Sequence, residues 1–218
     1  MLRILFENDE FLVAIKPVGL LSQPGKEGNF PALLEKHLRS SGQLGAIYPV
    51  HRLDRDVGGV MVYAKVHSAA QKLSVAMENR ETKKEYLAIV CGVPVPSCGE
   101  MTDYLWRDLK AHQVKTAEPS HAGAKFASLS YRVLQTVSVE RYGLLSLCSI
   151  QLHTGRNHQI RVQFASRNLP LLGDDKYGEQ VDCTIALWSQ SLSVWGKTYV
   201  AEPPLVFPWT VFSYLRNE

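Results

Sequence analysis

Two strand-patterned segments, "AKFASLSYRVLQT" and "YGLLSLCSIQLHT", follow one another with only "VSVER" between them. Adjacent parallel strands need a crossover of a dozen or more residues, so this pair has to run antiparallel. Most of the chain reads the same way. "LRILFEN" and "FLVAIKP", the second closed by the "KPVGL" turn, form two short strands, and "GGVMVYAKV", "KKEYLAIVCGV", "IALWSQSLSV" and "KTYVAEPP" are further ones. Helical spacing is confined to three segments. "PALLEKHL" places Leu33, Leu34 and Leu38 on one side; "SAAQKLSVAMENR" repeats Ala69, Leu73, Ala76 and Met77; "NHQIRVQFAS" is short. Residues Pro94 to Gly123 are polar and turn-rich and read as a long excursion, and "LPLLGDDKYGE" reads as a turn. Strands that succeed one another directly predict an α+β fold with a mixed, mainly antiparallel sheet rather than a doubly wound βα repeat.

The 218 residues suit one large domain or two small ones. With 45% hydrophobic and 21% charged residues the chain has the composition of a globular protein, which excludes a disordered one. A net charge of +3 permits an anionic partner without demanding one. Cys91, Cys98, Cys148 and Cys183 form no CxxC pair and read as buried thiols of a reducing compartment. The opening "MLRILFENDE" turns acidic too early for a signal peptide, and no apolar run approaches the ~18 residues of a membrane span. The expectation is a cytoplasmic monomer with no membrane partner.

The stretch "VHRLDRDVGG", Val50 to Gly59, sets Asp54 between Arg52 and Arg55. A guanidinium close to a carboxylate favours its ionised form, ready to act as nucleophile or base. The plain alternative is a salt-bridged loop aspartate. In "HTGRNHQIRV", Thr154 can cap a following helix through its hydroxyl, and Gly155 allows a close turn. On that helix His158 and Arg161 share a face, with Ile160 and Phe164 on the core side. "NRETKKEY" brings Arg80, Lys83 and Lys84 up to Tyr86, and basic groups of this kind hold phosphates or simply keep a surface soluble. No HxxxH or zinc-ligand spacing, no GxGxxG or P-loop, and no GxSxG occurs, so the reading includes no metal, no nucleotide cofactor and no serine hydrolase.

"HRLDRDVGG", "KKEYLAIVCG", "HTGRNHQIRV" and "LPLLGDDKYG" occur in the order, and at about the intervals, seen in the RluA family of RNA pseudouridine synthases, and "ILFENDEFLVAIKPVGL" resembles that family's first hairpin. The resemblance runs from about Leu2 to about Phe212. It implies one catalytic domain over residues 1–218, a pseudouridine synthase fold with a central RNA-binding cleft, and isomerisation of uridine in ribosomal or transfer RNA without a cofactor. Residue by residue, it implies that Asp54 is the catalytic carboxylate and that Arg52 holds the place of the flipped-out nucleotide. Tyr86 would pack on the target base and move a proton, Arg161 would pair with the carboxylate, and Ile160 would line the uracil pocket. Arg55, Arg156, His158, Lys83 and Lys84 are the expected substrate contacts.

The chain departs from the family in three places. Val57-Gly58-Gly59 stands where Thr-Ser-Gly is usual, Asn157 where threonine is commoner, and Trp188 where histidine is frequent. The glycines after Asp54 are expected to let the chain turn without obstructing RNA. The small accessory RNA-binding domain of many members is not part of the match. Two other functions compete. One is a non-catalytic RNA-binding module. The other is an aspartate-nucleophile phosphatase, with Asp54 and Asp56 as a DxD and "GDDK" at Gly173 to Lys176 for Mg²⁺.

Overall fold

The computed structural model describes residues 2–25 and 28–216. The chain divides into two compact units, Met1–Lys84 with Trp188–Pro203, and Glu85–Leu187 with Pro204–Glu218.

In the first unit, β1 (Arg3–Glu7) and β2 (Phe11–Lys16) form an antiparallel hairpin. Its turn is set by Asn8, whose Oδ1 accepts from the N–H groups of Glu10 and Phe11 at 2.9 and 2.8 Å, an Asx turn. Helix α1 (Phe30–Ser40) starts at Asn29, whose side chain accepts from the Ala32 N–H at 2.9 Å. Phe30, Leu34 and Leu38, each four apart, are its buried stripe. Leu33 was expected beside them and is 45% exposed, because a stripe so narrow leaves a residue 100° round the helix in solvent. The two-residue β3 (Tyr48–Pro49) and β2 both pair antiparallel with β4 (Gly58–Ala64). Strands β2 and β4 are buried throughout, which is why both read as unbroken apolar runs rather than alternating ones. Helix α2 (His67–Glu78) buries Ala69, Leu73 and Ala76 as its spacing predicts.

β5 (Lys83–Cys91) carries the chain into the second unit, where the strand order is β5, β9 (Gly143–Leu152), β8 (Lys125–Val139), β6 (Cys98–Asp108), β7 (Gln113–Ala117), all antiparallel. The excursion expected over Pro94–Gly123 is therefore corrected to a hairpin. Met101, Leu105 and Val114 are buried and their strand neighbours are mostly polar, so a strand with one wet face resembles a loop in sequence. Asp108 closes the turn, its Oδ1 accepting from the N–H groups of Lys110 and Ala111, each at 3.0 Å. Helix α3 (Gln159–Ala165) lies on one face of this sheet, where Val162 joins Leu105, Val114 and Ala127.

β10 (Leu187–Val194) and β11 (Lys197–Val200) return to the first unit as an antiparallel hairpin. There β10 pairs in parallel with β4 at Trp188–Gly58 and Ser189–Gly59. The result is α+β with a mixed, mainly antiparallel sheet. Among the described residues no helix is long and apolar enough to cross a membrane.

Candidate active site

In the first unit Asp54 sits half-buried in a loop fixed on both sides. On one side, the buried Ser22 hydroxyl donates to the Leu53 carbonyl at 2.8 Å and accepts from the Leu53 N–H at 3.2 Å. The Tyr63 hydroxyl donates to the Ser22 carbonyl at 3.0 Å, tying this clamp to β4. On the other side, the Lys16 side chain is fully buried and its ammonium donates to the carbonyls of Pro17, Leu20 and Arg55 at 2.9, 2.7 and 3.0 Å. Gly19 donates to the Arg55 carbonyl at 2.9 Å and accepts from Arg55 Nε at 3.1 Å. Three donations use all three ammonium protons, and this satisfies a cation taken out of water. Burial pushes the Lys16 pKa down to about 8, and Asp56 and Asp54 pull in the opposite direction.

The paired glycines serve a different end from the one expected. Gly58 and Gly59 are buried, and they make room for protein rather than RNA. A Cβ on Gly58 would lie 2.4 Å from the Trp188 ring, and one on Gly59, where φ is +123°, would lie 2.2 Å from the Ser189 carbonyl oxygen. Two of the departures from the family pattern, Gly58 and Trp188, thus meet at one point. The larger ring occupies the space of the missing side chain, and its Nε1 donates to the Ala201 carbonyl at 2.7 Å. Gly58→Ser is expected to destabilise the protein by about 1–3 kcal/mol through overpacking. Adding Trp188→His should recover part of that loss, because the two side chains compete for one volume. Urea melts of the two single variants and the double check this; strictly additive losses would contradict a shared volume.

His51 continues the β3 edge of the sheet: its Nε2 accepts the Val62 N–H at 3.1 Å. Burial, and then the nearby Lys84 ammonium, hold its pKa well below the ordinary histidine value. The unfolded chain therefore takes up a proton near pH ~6.5 that the folded chain refuses. The stability contributed by neutral His51 is complete above that pH and is lost as the pH falls below it. His51→Gln retains an acceptor for Val62 and should flatten the acid limb of a stability profile between about pH 7 and 5. An unchanged limb would assign acid sensitivity to other groups.

Arg52 and Arg55 are exposed in the same loop. Lys83 is exposed on β5, whereas Lys84 is half-buried with its ammonium 3.7 Å from the Met77 sulfur, and burial lowers its pKa. The two lysines expected to act together thus stand in different surroundings.

In the second unit Tyr86 is buried on β5 opposite Ile150. Thr154 does not cap α3 as expected. Its hydroxyl accepts from the Ser128 N–H at 2.9 Å and donates to Gln159 Oε1 at 2.7 Å. Gln159 folds back in its place, Oε1 accepting from the Arg156 N–H at 3.0 Å and Nε2 donating to the Ser128 carbonyl at 3.0 Å. Arg156 is exposed, its Nε on the Phe126 carbonyl at 2.9 Å.

His158 precedes the helix with φ +51°, and its Nδ1 lies 2.8 Å from the Tyr177 hydroxyl, which also accepts the Val114 N–H at 3.0 Å. Arg161 is buried. Its Nε and Nη2 donate to the two Asp174 oxygens at 2.8 and 2.7 Å, and its guanidinium lies 5.2 Å from the centre of the Tyr177 ring. Asp174 has no exposure, and its Oδ1 also accepts from the N–H groups of Lys176 and Tyr177 at 3.1 Å each. His158 and Arg161 do share a face, and Tyr177 is where they converge. The Asp174 carboxylate is filled by Arg161, which weakens "GDDK" as a place for Mg²⁺ and with it the phosphatase alternative. Ile160 is buried on the same helix.

Lys16, Ser22 and Tyr177 were not singled out from sequence, and Asp174 only within "GDDK" as a place for Mg²⁺. A lysine ending the apolar run "FLVAI", where no water reaches it, was the available signal for the first. For Asp174 and Tyr177 the signal was an acid and an aromatic within a turn that already formed part of the family pattern.

The family model for RNA pseudouridylate synthase matches residues 10–166. The chain is similar to "Uncharacterized RNA pseudouridine synthase YhcT" of Bacillus subtilis, 34% identical over 180 residues, covering 81% of this chain and 58% of that protein. It is also similar to "Ribosomal large subunit pseudouridine synthase D" of Nitrosomonas europaea, 34% identical over 203 residues, covering 89% of this chain and 56% of that protein. The chain thus spans somewhat more than half the length of these relatives. Among solved structures it resembles human RNA pseudouridylate synthase domain containing 1, with a TM-score of 0.77 at 21% identity over 100% of this chain and 96% of that one. Human RNA pseudouridylate synthase domain containing 4 gives 0.76 at 22% identity over 93% and 88%. Those likenesses show the fold. Fold, ordered motifs and relatives agree that this chain belongs to the RNA pseudouridylate synthase family.

Proposed function

We propose that this chain converts uridine to pseudouridine in RNA. The observation that carries the reading is the double clamp on Asp54: its two chain neighbours are fixed by Ser22 and by Lys16, so the carboxylate is presented by a rigid loop. A group held in place before substrate arrives needs little reorganisation to act. The reaction breaks the bond from C1′ to N1, turns the uracil, and forms a bond from C1′ to C5. C5 gives up its proton and N1 ends protonated, so atoms balance with no co-reactant. Asp54 adds to the base or sugar, or stabilises the positive charge of the separating ribose. The uridine leaves the stack to be reached.

In this reading Arg161, held by Asp174, is a further catalytic residue. Tyr86 packs on the base and moves a proton, Ile160 lines the ring pocket, and Arg52 takes the vacated place in the RNA. His158, Arg55, Arg156, Lys83 and Lys84 contact the sugar-phosphate chain, with Lys83 better exposed for it than Lys84. We read residues 1–218 as one catalytic domain, working as a cytoplasmic monomer.

Relatives named for the large ribosomal subunit make ribosomal RNA the first substrate to test. The purified chain is incubated with unmodified large-subunit RNA, and pseudouridines are mapped by carbodiimide adducts. New adduct sites are expected with no added cofactor. A chain that binds this RNA and transfer RNA yet leaves every uridine unchanged would favour the non-catalytic binding module.

A further inference from the structure

The second unit carries an aromatic face that the candidate site does not use. Tyr104 and Trp106 are two apart on β6 and so project from the same side of the sheet. The register sets Phe126 of β8 directly across from Tyr104, and Lys115 of β7 directly across from Trp106. The Tyr104 and Phe126 rings meet edge to face at 5.7 Å, and the His121 ring lies 4.3 Å from that of Trp106. The opposite side of these strands is filled. Leu105, Val114 and Ala127 pack there with Val162, and Gln163 of α3 donates to the Met101 carbonyl and to Asp103. Helix α3 lies on that filled side, and on the ring side Phe126 is 42% exposed and Thr102, Lys115 and His121 are exposed.

Cationic side chains border these rings. Arg156 is anchored on the Phe126 carbonyl at 2.9 Å, and Lys110 and Lys115 are exposed beside the rings, Lys115 also pairing with Asp108. Among the acids of β6, Glu100 is exposed on the ring side and the other two are paired. Asp103 accepts from Gln163 and Arg167 on the far side, and Asp108 accepts from Lys115 and two backbone N–H groups.

We propose that this face is a stacking surface for unpaired nucleotides of the RNA substrate, with phosphates along the basic rim. Exposed rings on a strand give every base a π-face to lie on, whatever its identity, and cations beside them track the backbone. The proposal rests on the reading of the chain as an RNA-modifying enzyme and adds where the strand is held.

The probe is a labelled 12-nucleotide oligouridylate, with an abasic chain of the same length as control, both followed by anisotropy. Trp106→Leu and Phe126→Leu are each expected to weaken oligouridylate binding about tenfold, within the range of one base–aromatic stack. Phe126→Tyr, which keeps a ring, should bind as the parent does. The abasic chain should bind the parent more weakly and be unaffected by any of the three changes. Turnover at saturating RNA should stay at the parent level. Three results would each overturn the proposal: unchanged oligouridylate binding in both leucine variants, equal losses on the abasic chain, or no binding of oligouridylate by the parent. A parent that binds through these rings but forms no pseudouridine overturns the catalytic reading instead. A parent that turns over with ring variants of full affinity overturns only the stacking surface.

Discussion

Asp54→Asn should abolish pseudouridine formation, with a loss on the order of 10³-fold or more, while RNA affinity stays within a few-fold. The substitution is nearly isosteric, and the clamp acts on the backbone of Leu53 and Arg55 rather than on the replaced side chain. The loop should therefore keep its shape. An amide is neither a nucleophile nor a base at neutral pH and cannot stabilise a developing cation as a carboxylate does. Single-turnover rates at saturating RNA, with affinity measured separately, divide chemistry from binding. Appreciable turnover by the variant would remove Asp54 from the reaction. A collapse of affinity alongside activity would mean that the loop itself had failed.

Asp174→Asn should have the largest effect on stability. It leaves the Arg161 guanidinium buried opposite a neutral group, and removing one partner of a buried pair typically costs about 3–5 kcal/mol. For a chain of this length that corresponds to a fall in Tm of roughly 6–20 °C. Replacing both partners by apolar groups, as in Asp174→Leu with Arg161→Met, should return part of the lost stability, since both charges of the pair are then removed together. Turnover should not return with it if Arg161 serves the reaction. A double variant that regains both stability and turnover would make the pair purely structural. Calorimetry and single-turnover rates on the three proteins decide between these outcomes.

What the sequence reveals depends on where a residue's partners lie. Strands β2 and β4 read correctly because burial on both faces leaves unbroken apolar runs, and the β8–β9 pair because its connection is too short for anything but a hairpin. β6 and β7 were missed because one face is wet, so their polar residues outweighed Met101, Leu105 and Val114 in the pattern. Asp54 stood out through its neighbours in the chain. Lys16 did not, because what gives it meaning is the Arg55 carbonyl, 39 residues away. Arg161 was visible on its helix, but Asp174, which holds it, lies in a turn whose sequence offers no periodicity. Gly58 was noticed for the wrong reason: the ring that requires a glycine there belongs to Trp188, far along the chain.

The first unit is encoded in two separated pieces, with Trp188–Pro203 completing what Met1–Lys84 begins. A chain emerging from the ribosome therefore makes its Asp54 loop early but lacks the strand against which Gly58 and Gly59 pack. All of Glu85–Leu187 must be synthesised first, long enough for the second unit to fold as domains do during translation. The first unit is thus begun before the second and completed after it. A nascent chain stalled short of Trp188 would hold an unfinished sheet beside the Asp54 loop.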